Sequence, residues 1–362
     1  LLSLKLKQFP FIWIENNYKF IPTNINLRKK IFKTNNEKIN LTNFIKKNII
    51  YFIPKNYLEN FYSINEAISK SYWPKKTKLI LTSSSYWFND FFKIWCANQK
   101  AENRSKYVIA QHGGKFGTEK FISNLDTQLN LADTFLSWGW KNSKKNVYPF
   151  YSLGFSKLKK IKNIKKKKII FCQNIYPGYF SHIDGNPFSL DEKIHNIKIA
   201  NLLFKNLNKG LKNHYIIRYL ESLKKTCYYF DQFINRKISK DIGGKKLSNI
   251  LHSARIFIHD KDSTSFLETM SYNIPTLLIL KKGYPNKLTN SAKKHYQKLE
   301  KNKIIFTNIF SASNFLNQNY IEIDKWWEKK QTQEARLNFC KSFAKTTDNP
   351  VEETYKLIKK LQ

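Results

Sequence analysis

Short apolar runs alternate with amphipathic stretches along most of the chain. In the first part, residues 78–82, 107–111 and 134–138 have the length and composition of buried strands. Helical patterns over residues 83–98 and 119–132 lie between them. Strands that alternate with helices in this way predict a parallel α/β architecture.

The same alternation resumes near residue 168 and continues toward the C-terminus. The predicted strands of this second part are residues 168–173, 214–218, 255–259 and 276–280. The predicted helices are residues 191–208, 246–253 and 265–272. The remainder is mostly helical in pattern, and Trp326 and Trp327 are expected to form a helix docking face.

A lysine-rich run without aromatic residues separates the two parts. The length of 362 residues exceeds that of one ordinary core, so two α/β domains are expected. The predicted organisation is an N-terminal domain at 1–155, a basic linker at 156–167, a second domain at 168–325 and C-terminal helices at 326–362. Ligands of parallel sheets bind beyond the carboxyl ends of the strands, here the loops after Gln111, Gln173, Arg218 and His259.

The formal net charge of +38 suggests a nucleic-acid-binding protein. However, only six of the 64 basic residues are arginine, the side chain on which phosphate and base recognition usually relies. The lysines are spread over the chain together with many Asn, Ile, Phe and Tyr residues, as an AT-rich coding bias would produce. Solvated lysine surfaces are therefore favoured, and attraction to anionic lipid and acidic substrates is the expected consequence.

The cysteines indicate a reducing compartment. Cys96, Cys172, Cys227 and Cys340 form no CxxC pair and are expected to be free thiols. No apolar run approaches the roughly 18 residues of a membrane helix, and the longest, such as 48–54, are of strand length. Without a secretory signal, a cytoplasmic location is expected. Because the chain begins without methionine, we expect part of the first domain to be missing.

The strongest candidate for chemistry is the segment HDKDSTSFLETMSYNIPTLLIL, in which a strand ends at His259 and a helix follows. The free backbone N–H groups at the start of that helix form a ready site for an anion. The hydroxyls of Ser263 and Thr264 can add hydrogen bonds to phosphate. Glu268 lies one turn further on, where a carboxylate can reach a ribose diol.

A purely structural interpretation of this segment is equally supported by the spacing. Asp262 is a good N-cap, and Ser265-x-x-Glu268 has the form of a capping box. The two interpretations are compatible, because a capped helix still offers its remaining N–H groups. Asp260 and Asp262 have the DxD form of a metal motif, but they precede the helix of the second domain, so no metal and no cofactor are expected.

The second candidate segment, AQHGGKFGTEKF, follows the second predicted strand and matches neither the Walker pattern nor the dinucleotide fingerprint. Gln111 and His112 lie at the carboxyl end of that strand. Gly113 and Gly114 allow a backbone or a substrate to approach closely. His112 or Glu119 can act as general base, whereas a glycine-rich turn with a merely hydrogen-bonded histidine is the alternative.

Three further side chains have two interpretations each. Arg218 ends a predicted strand and can neutralise donor phosphate, or it can form a surface ion pair. Trp138 and Trp140 follow another strand and can stack on a sugar ring in the acceptor cleft. Packing in the core is the favoured alternative for both tryptophans.

Four ordered segments resemble a family of transferases that occurs in bacterial surface-polysaccharide gene clusters, often beside genes for activated nonulosonic or Kdo-like sugars. These segments are QHGGKFGTEKF, DTFLSWGW, HDKDSTSFLETMSYNIPTLLI and DKWWEKKQTQEARLNF. The resemblance spans residues 53–343. It implies a GT-B-like α/β fold with two Rossmann-like parallel-sheet domains, a cleft between them and C-terminal helices.

The segment that begins at Asp260 is also similar to the donor site of GT-B glycosyltransferases and of capsule-type Kdo and glycerophosphate transferases. The similarity implies that Ser263 and Thr264 contact donor phosphate and that Glu268 contacts the ribose. His112 and its neighbouring glycines would line the acceptor side of the cleft. The pair before Ser263, Lys-Asp, departs from the aromatic residue and asparagine of the expected pattern.

The resemblance implies a glycosyltransferase that moves a sugar from a nucleotide-activated donor, preferably a CMP-linked Kdo or nonulosonate. The acceptor would be a cell-surface glycan or a lipid-linked glycan at the inner membrane. A polyol-phosphate transferase that uses a CDP-linked donor is the alternative of the same fold. A basic nucleic-acid-binding protein is the alternative of another class, which the scarcity of arginine argues against.

Overall fold

The computed structural model describes residues 5, 18–31, 40–122, 124–143, 146–157, 167–173, 190–219 and 233–362. The chain divides into two compact units, one formed by Leu1–Val108 with Val351–Gln362 and the other by Ile109–Pro350. The linker predicted at 156–167 falls mostly on residues outside the described ones, so the predicted domain ranges stay predictions.

The first unit begins with helices and ends with strands of a parallel α/β pattern. Its elements are α1 (Ile25–Ile31), α2 (Leu41–Phe52), α3 (Phe61–Lys70), β1 (Leu79–Thr82), α4 (Ser85–Phe88), α5 (Asp90–Asn103) and the first residues of β2 (Lys106–Ala110). Aromatic rings of Trp73, Phe91 and Trp95 meet edge to face in its core. A buried ion pair joins Arg28 to Glu59, and it lowers the pKa of Glu59 to about 2.

The apolar run at 48–54 lies mainly in helix α2. One prediction for this unit is wrong. The single helix predicted at 83–98 is two helices, because Asn89 ends α4 and starts α5. Its side chain accepts a hydrogen bond from the Phe92 N–H and so caps the second helix.

The second unit contains most of the sheet structure. Its elements as far as residue 241 are α6 (Leu125–Leu131), β3 (Thr134–Ser137), β4 (Val147–Pro149), β5 (Lys168–Cys172), α7 (Leu190–Asn206), α8 (Lys209–Lys212), β6 (Tyr215–Arg218) and β7 (Ser239–Asp241). The elements that follow are α9 (Leu247–Ile250), β8 (Ala254–His259), α10 (Thr264–Ser271), β9 (Thr276–Ile279), α11 (Asn290–Lys301), β10 (Ile305–Phe306), α12 (Ile309–Asn319), α13 (Ile323–Glu328) and α14 (Lys330–Phe343). The last helix, α15 (Pro350–Leu361), belongs almost entirely to the first unit.

The larger sheet has the strand order of a doubly wound nucleotide-binding fold. Its six strands run β10-β9-β8-β5-β6-β7, and each neighbouring pair is parallel. In chain order this is 6-5-4-1-2-3, so the order reverses between β5 and β8. Such a switch point leaves a crevice at the carboxyl ends of the two strands, where ligands of open α/β sheets bind.

The predicted fold class, mixed α/β with parallel sheets, is confirmed. In the second unit, β3 and β4 pair in parallel. The short strands β4, β7 and β10 were missed, because a run of two or three residues carries too little apolar pattern. The predicted tryptophan docking face is confirmed, since Trp326 donates to the carbonyl of Asn302 and Trp327 to the side chain of Asn273.

No helix within the described residues is long and apolar enough to cross a membrane. The three described cysteines, Cys96, Cys172 and Cys340, are free and buried, and Cys227 lies outside the described residues.

Candidate functional site

The start of helix α10 lies directly after strand β8, at the carboxyl edge of the larger sheet. Its N-cap is Ser263, whose backbone is extended and whose side chain makes no capping hydrogen bond. The first bond within the helix runs from the Leu267 N–H to the Ser263 carbonyl. The N–H groups of the first helical turn therefore have no acceptor inside the helix and can bind an anion.

The capping roles predicted for this helix start are wrong. Asp262 is not the N-cap; its carboxylate accepts a hydrogen bond of 2.6 Å from the hydroxyl of Tyr296. Ser265 lies inside the helix and cannot begin a capping box. Its hydroxyl contacts the hydroxyl of Ser263 at 3.0 Å instead.

His259 fixes this helix to the end of β8 and was missed as a site residue. Its ring is fully buried, with Nε2 at 3.1 Å from the Thr269 hydroxyl and Nδ1 at 3.3 Å from the Ser265 hydroxyl. Burial lowers the pKa of His259 to about 3, so the imidazole is neutral at physiological pH. His259 follows an apolar run, so in the sequence it had the pattern of an ordinary last residue of a strand.

The loop that carries the second motif contacts this helix start within the second unit. The Gly114 N–H donates a 3.0 Å hydrogen bond to the hydroxyl of Thr264. A Cβ on Gly114 would lie 2.8 Å from the backbone of both Ser263 and Thr264, closer than real Cβ atoms approach. Gly113 would bring a Cβ to 3.6 Å from the Thr264 hydroxyl, which is ordinary contact. A close approach therefore exists at Gly114, and the approaching group is the backbone at the start of α10.

Hydrogen bonds between Gln111 and the two tryptophans stabilise this loop. The side-chain oxygen of Gln111 accepts from the Trp138 backbone at 2.9 Å and from the Trp140 indole at 2.7 Å. All three side chains are buried, and a Cβ on Gly117 would lie 2.3 Å from the Trp140 ring. Their placement favours packing, the alternative considered for the tryptophans, over stacking on a sugar.

A cluster of opposite charges joins the loop to the residues before α10. Lys115 forms a largely buried ion pair with Glu119. Burial lowers the pKa of Lys115, but the carboxylates of Asp262 and Glu119 raise it, and the net shift is upward. The pKa of Glu119 is raised by burial and by Asp262, against the effect of Lys115. Lys115 was missed because one lysine among so many carries no signal in the sequence.

His112 lies half-buried at the carboxyl end of β2. Its ring meets the edge of Phe116, with centroids 5.2 Å apart. Burial lowers its pKa, so the imidazole is neutral near pH 7 and can accept a proton. The geometry suits the predicted role of general base, which stays a prediction.

The residues predicted to form the donor site lie near the carboxyl ends of three adjacent strands. Cys172 pairs in register with Arg218 on one side and with His259 on the other. Burial is the main cause of the raised pKa of Cys172, and the charges of Arg218, Asp260 and Glu268 also act on it. The structure therefore brings these three predicted donor-site residues together around one strand end.

The guanidinium of Arg218 is already engaged within the protein. It donates to the carboxylate of Asp241 and to the backbone carbonyl of Lys245. The ion-pair alternative describes this contact better than direct phosphate binding. Glu268 is left largely buried, and burial raises its pKa to about 7 although Arg218 acts in the opposite direction.

Gln173 is a further residue of this edge that sequence reasoning did not select. It follows β5 directly, at the switch point, and is only 5% exposed. Its side-chain oxygen has no hydrogen-bond partner among the described residues. A buried amide without a partner is costly unless a ligand satisfies it. Its position after a predicted strand was the only available signal.

The described part of the chain contains no group of three or more His, Cys, Asp or Glu side chains that could hold a metal ion. Of the DxD pair, Asp260 is buried and Asp262 is bound to Tyr296. The Asp262 carboxylate is thus already engaged by another side chain of the protein.

A parallel sheet with a polar helix start at its switch point is characteristic of the class of open α/β proteins that bind ligands at the carboxyl edge of the sheet. Within that class the chain belongs to the LIC12162 family of transferases, whose family model matches residues 1–358. The protein is a transferase, and the predicted family and enzyme class are confirmed. The chain has no significant match among curated proteins.

Several solved structures show a distant likeness to this chain. The wall teichoic acid polymerase TagF is 12% identical with a TM-score of 0.39, over 72% of this chain and 68% of that one. MnaA of S. aureus, in a structure with UDP, is 12% identical with a TM-score of 0.44, over 83% and 78%. MurG of Acinetobacter baumannii is 12% identical with a TM-score of 0.41, over 84% and 79%.

Proposed function

We propose that this transferase is a GT-B-like glycosyltransferase that moves a sugar from a nucleotide-activated donor to a cell-surface glycan. The observation that supports it most is the position of the α10 start. It follows β8 at the switch point of a six-stranded parallel sheet, where open sheets of this order bind nucleotides.

The donor would lie across the carboxyl edge with its phosphate at the first turn of α10. The N–H groups of that turn, the positive end of the helix dipole and the Ser263 hydroxyl would bind it. The Thr264 hydroxyl accepts from Gly114 but keeps its own proton to donate. The carboxylate of Glu268, one turn further on, would accept hydrogen bonds from the ribose hydroxyls.

Catalysis would depend on charge that develops on the departing nucleotide phosphate. The start of α10 is preorganised for that charge and needs no rearrangement during the reaction. His112, neutral because of burial, would take the proton of the acceptor hydroxyl. Glu119 is the other predicted base. Its ion pair with Lys115 favours a structural role, in which it stabilises the loop.

The finer assignment is a CMP-linked donor of the Kdo or nonulosonate type and a glycan or lipid-linked glycan as acceptor. The gene-cluster setting of the resembling family favours this donor. We also propose that the reaction takes place in the cytoplasm at the inner membrane, in keeping with the free buried thiols.

The test is a thermal-shift screen of the protein against CMP, CDP, UDP, GDP and dTDP. A ligand present at about 100 times its dissociation constant adds about 2.7 kcal/mol to the unfolding free energy, so the true nucleotide should raise Tm clearly. A CMP response supports the Kdo-type donor. Stabilisation by none of the five nucleotides would overturn the proposed donor class.

Product analysis then separates the two transfer reactions. A glycosyl product contains no donor phosphate, whereas a polyol-phosphate product retains it, and mass spectrometry distinguishes them. His112→Gln should lower kcat strongly while the dissociation constant of the nucleotide stays unchanged. An unchanged kcat in that variant would remove His112 from the reaction.

A further inference from the structure

Helix α2 in the first unit exposes most of its large apolar side chains, whereas a helix that packs on a core buries them. Leu41, Phe44 and Phe52 are 74%, 62% and 80% exposed. The residue that faces the interior, Ile50, is 7% exposed. The helix therefore shows solvent more large apolar side chains than it buries, which monomeric proteins rarely do without a function.

The exposed side chains form one continuous stripe. They recur at spacings of three and four residues along the helix, which places them on a single face. The members of this stripe are Leu41, Phe44, Ile45, Ile49 and Phe52. The neighbouring helix α1 also exposes apolar side chains, namely Ile25, Leu27 and Ile31.

The surroundings of the stripe are strongly basic. Lys46 and Lys47 lie on α2 itself, and Lys29 and Lys30 lie in the last turn of α1. Within residues 18–31 and 40–58, five lysines are exposed and no acidic side chain occurs, while Arg28 is buried in its ion pair with Glu59. An apolar stripe bordered by lysines is the pattern of helices that lie in the plane of a membrane surface.

We propose that α2 is an interfacial membrane anchor that lies on an anionic lipid bilayer. Its leucine, isoleucine and phenylalanine side chains would enter the boundary between head groups and acyl chains, and the lysines would contact lipid phosphates. The charge decides between the possible occupants. A second copy would bring an equally basic face against this one, and like charges would repel.

The experiment is co-sedimentation of the full chain with vesicles of phosphatidylcholine alone or mixed with phosphatidylglycerol. Binding should require the anionic lipid and weaken as salt increases. The double variant Phe44→Ser/Phe52→Ser should bind at least about tenfold more weakly, and Lys46→Glu/Lys47→Glu should show a similar loss. Circular dichroism and Tm should not change, because these side chains are exposed.

Matched controls exist elsewhere in the chain. Phe310 is 58% exposed on α12, and Lys329 and Lys330 form another exposed lysine pair. Phe310→Ser and Lys329→Glu/Lys330→Glu should bind vesicles like the unaltered protein. Equal loss in these controls would show nonspecific adsorption and overturn the proposal.

Two other outcomes would also overturn it. One is equal binding by the unaltered protein and the Phe44→Ser/Phe52→Ser variant. The other is a dimer in lipid-free buffer, detected by sedimentation velocity, that this variant abolishes, since the stripe would then be a protein interface. Because the vesicles contain no donor or acceptor, the result is independent of the proposed glycosyl transfer.

Discussion

Helices α10 and α11 both begin beside the loop of the AQHGGKFGTEKF segment. Their N-cap residues differ in whether the side chain makes a capping hydrogen bond. At α11 the N-cap Thr289 accepts a hydrogen bond from the Ala292 N–H, and its hydroxyl also donates to the carbonyl of Gly117. At α10 the N-cap Ser263 makes no such bond. The side chains at α11 are used to hold the fold together, while the start of α10 remains available to an anion.

The difference shows how one loop can serve both structure and binding. Its far end is tied to α11 by backbone bonds, from Lys120 to Lys287 and from Thr289 to Thr118. Its near end contacts α10 through the hydrogen bond from the Gly114 N–H to the Thr264 hydroxyl. These backbone bonds fix the loop near α11, so the loop can position the start of α10 while the N–H groups of the first turn of α10 stay open to a ligand.

The largest effect is expected from Gly114→Val, which forces apart the loop and the start of α10. The added side chain would collide with the backbone of Ser263 and Thr264, 2.8 Å from the Cβ position. Overpacking against the main chain should cost about 3 kcal/mol of unfolding free energy and abolish nucleotide stabilisation. Chemical denaturation and the thermal-shift screen measure the two losses.

The matched control is Gly210→Ala, because nothing lies within 4 Å of the Cβ position there. This variant should keep both stability and nucleotide binding. If Gly114→Val behaves in the same way, the close approach of loop and helix does not exist in solution.

Glu268→Gln should separate binding from stability. Burial raises the pKa of Glu268 to about 7, above its value in the unfolded chain. The unfolded state therefore releases this proton first, and the folded state loses stability as pH rises from about 4.5 to 7. Removing the charge should add about 1–2 kcal/mol at pH 8, after allowance for partial exposure.

The same substitution should weaken nucleotide binding about tenfold, because an amide is a poorer acceptor for two ribose hydroxyls than a carboxylate. In the unaltered protein, affinity should rise with pH through about 7, and titration calorimetry of Glu268→Gln should show this dependence flattened. Glu334→Gln, at an exposed position on α14, is the control and should change neither quantity.

Ser263→Ala and Thr289→Ala compare the two helix starts directly. Thr289→Ala removes a capping bond and should cost about 1 kcal/mol with little effect on nucleotide affinity. Ser263→Ala removes no cap, so stability should change by less than about 0.5 kcal/mol while affinity falls about fivefold. The reverse pattern would make α10 the structural helix and α11 the binding one.

Gln173→Leu should have the smallest effect. The substitution keeps volume and removes a buried oxygen that has no partner among the described residues, so stability should stay or rise slightly. Nucleotide affinity should fall about threefold if the amide contacts the donor. Gln128→Leu, another buried amide whose oxygen has no described partner, should leave affinity unchanged in isothermal titration.

The sequence predicted the central strands of the fold well because they are long, apolar and bounded by helices. It placed β5, β6, β8 and β9 within a residue or two of their observed ends. The edge strand β7 (Ser-Lys-Asp) has no apolar residue and could not be found by hydrophobic pattern. The break at Asn89 depends on one side-chain cap and was hidden in a continuous aromatic run.

The candidate site shows a similar division. The segment around Ser263 and Glu268 was found because a strand end, hydroxyls and a carboxylate occur together in a short stretch. The partners of those residues come from distant segments: Tyr296 for Asp262, and Asp241 for Arg218. Only the tertiary structure decides such pairings, so which charges are already neutralised could not be predicted from spacing.

The bond between Gly114 and Thr264 has a consequence for how the molecule folds. It joins residues 150 positions apart, and the antiparallel bridge between Glu119 and Leu288 spans a similar separation. Closing loops of that length loses much chain entropy before any contact repays it, so such contacts form late. We therefore expect the six-stranded sheet to fold first and the competent site to appear last. Recovery of nucleotide binding should lag behind recovery of secondary structure in a refolding experiment.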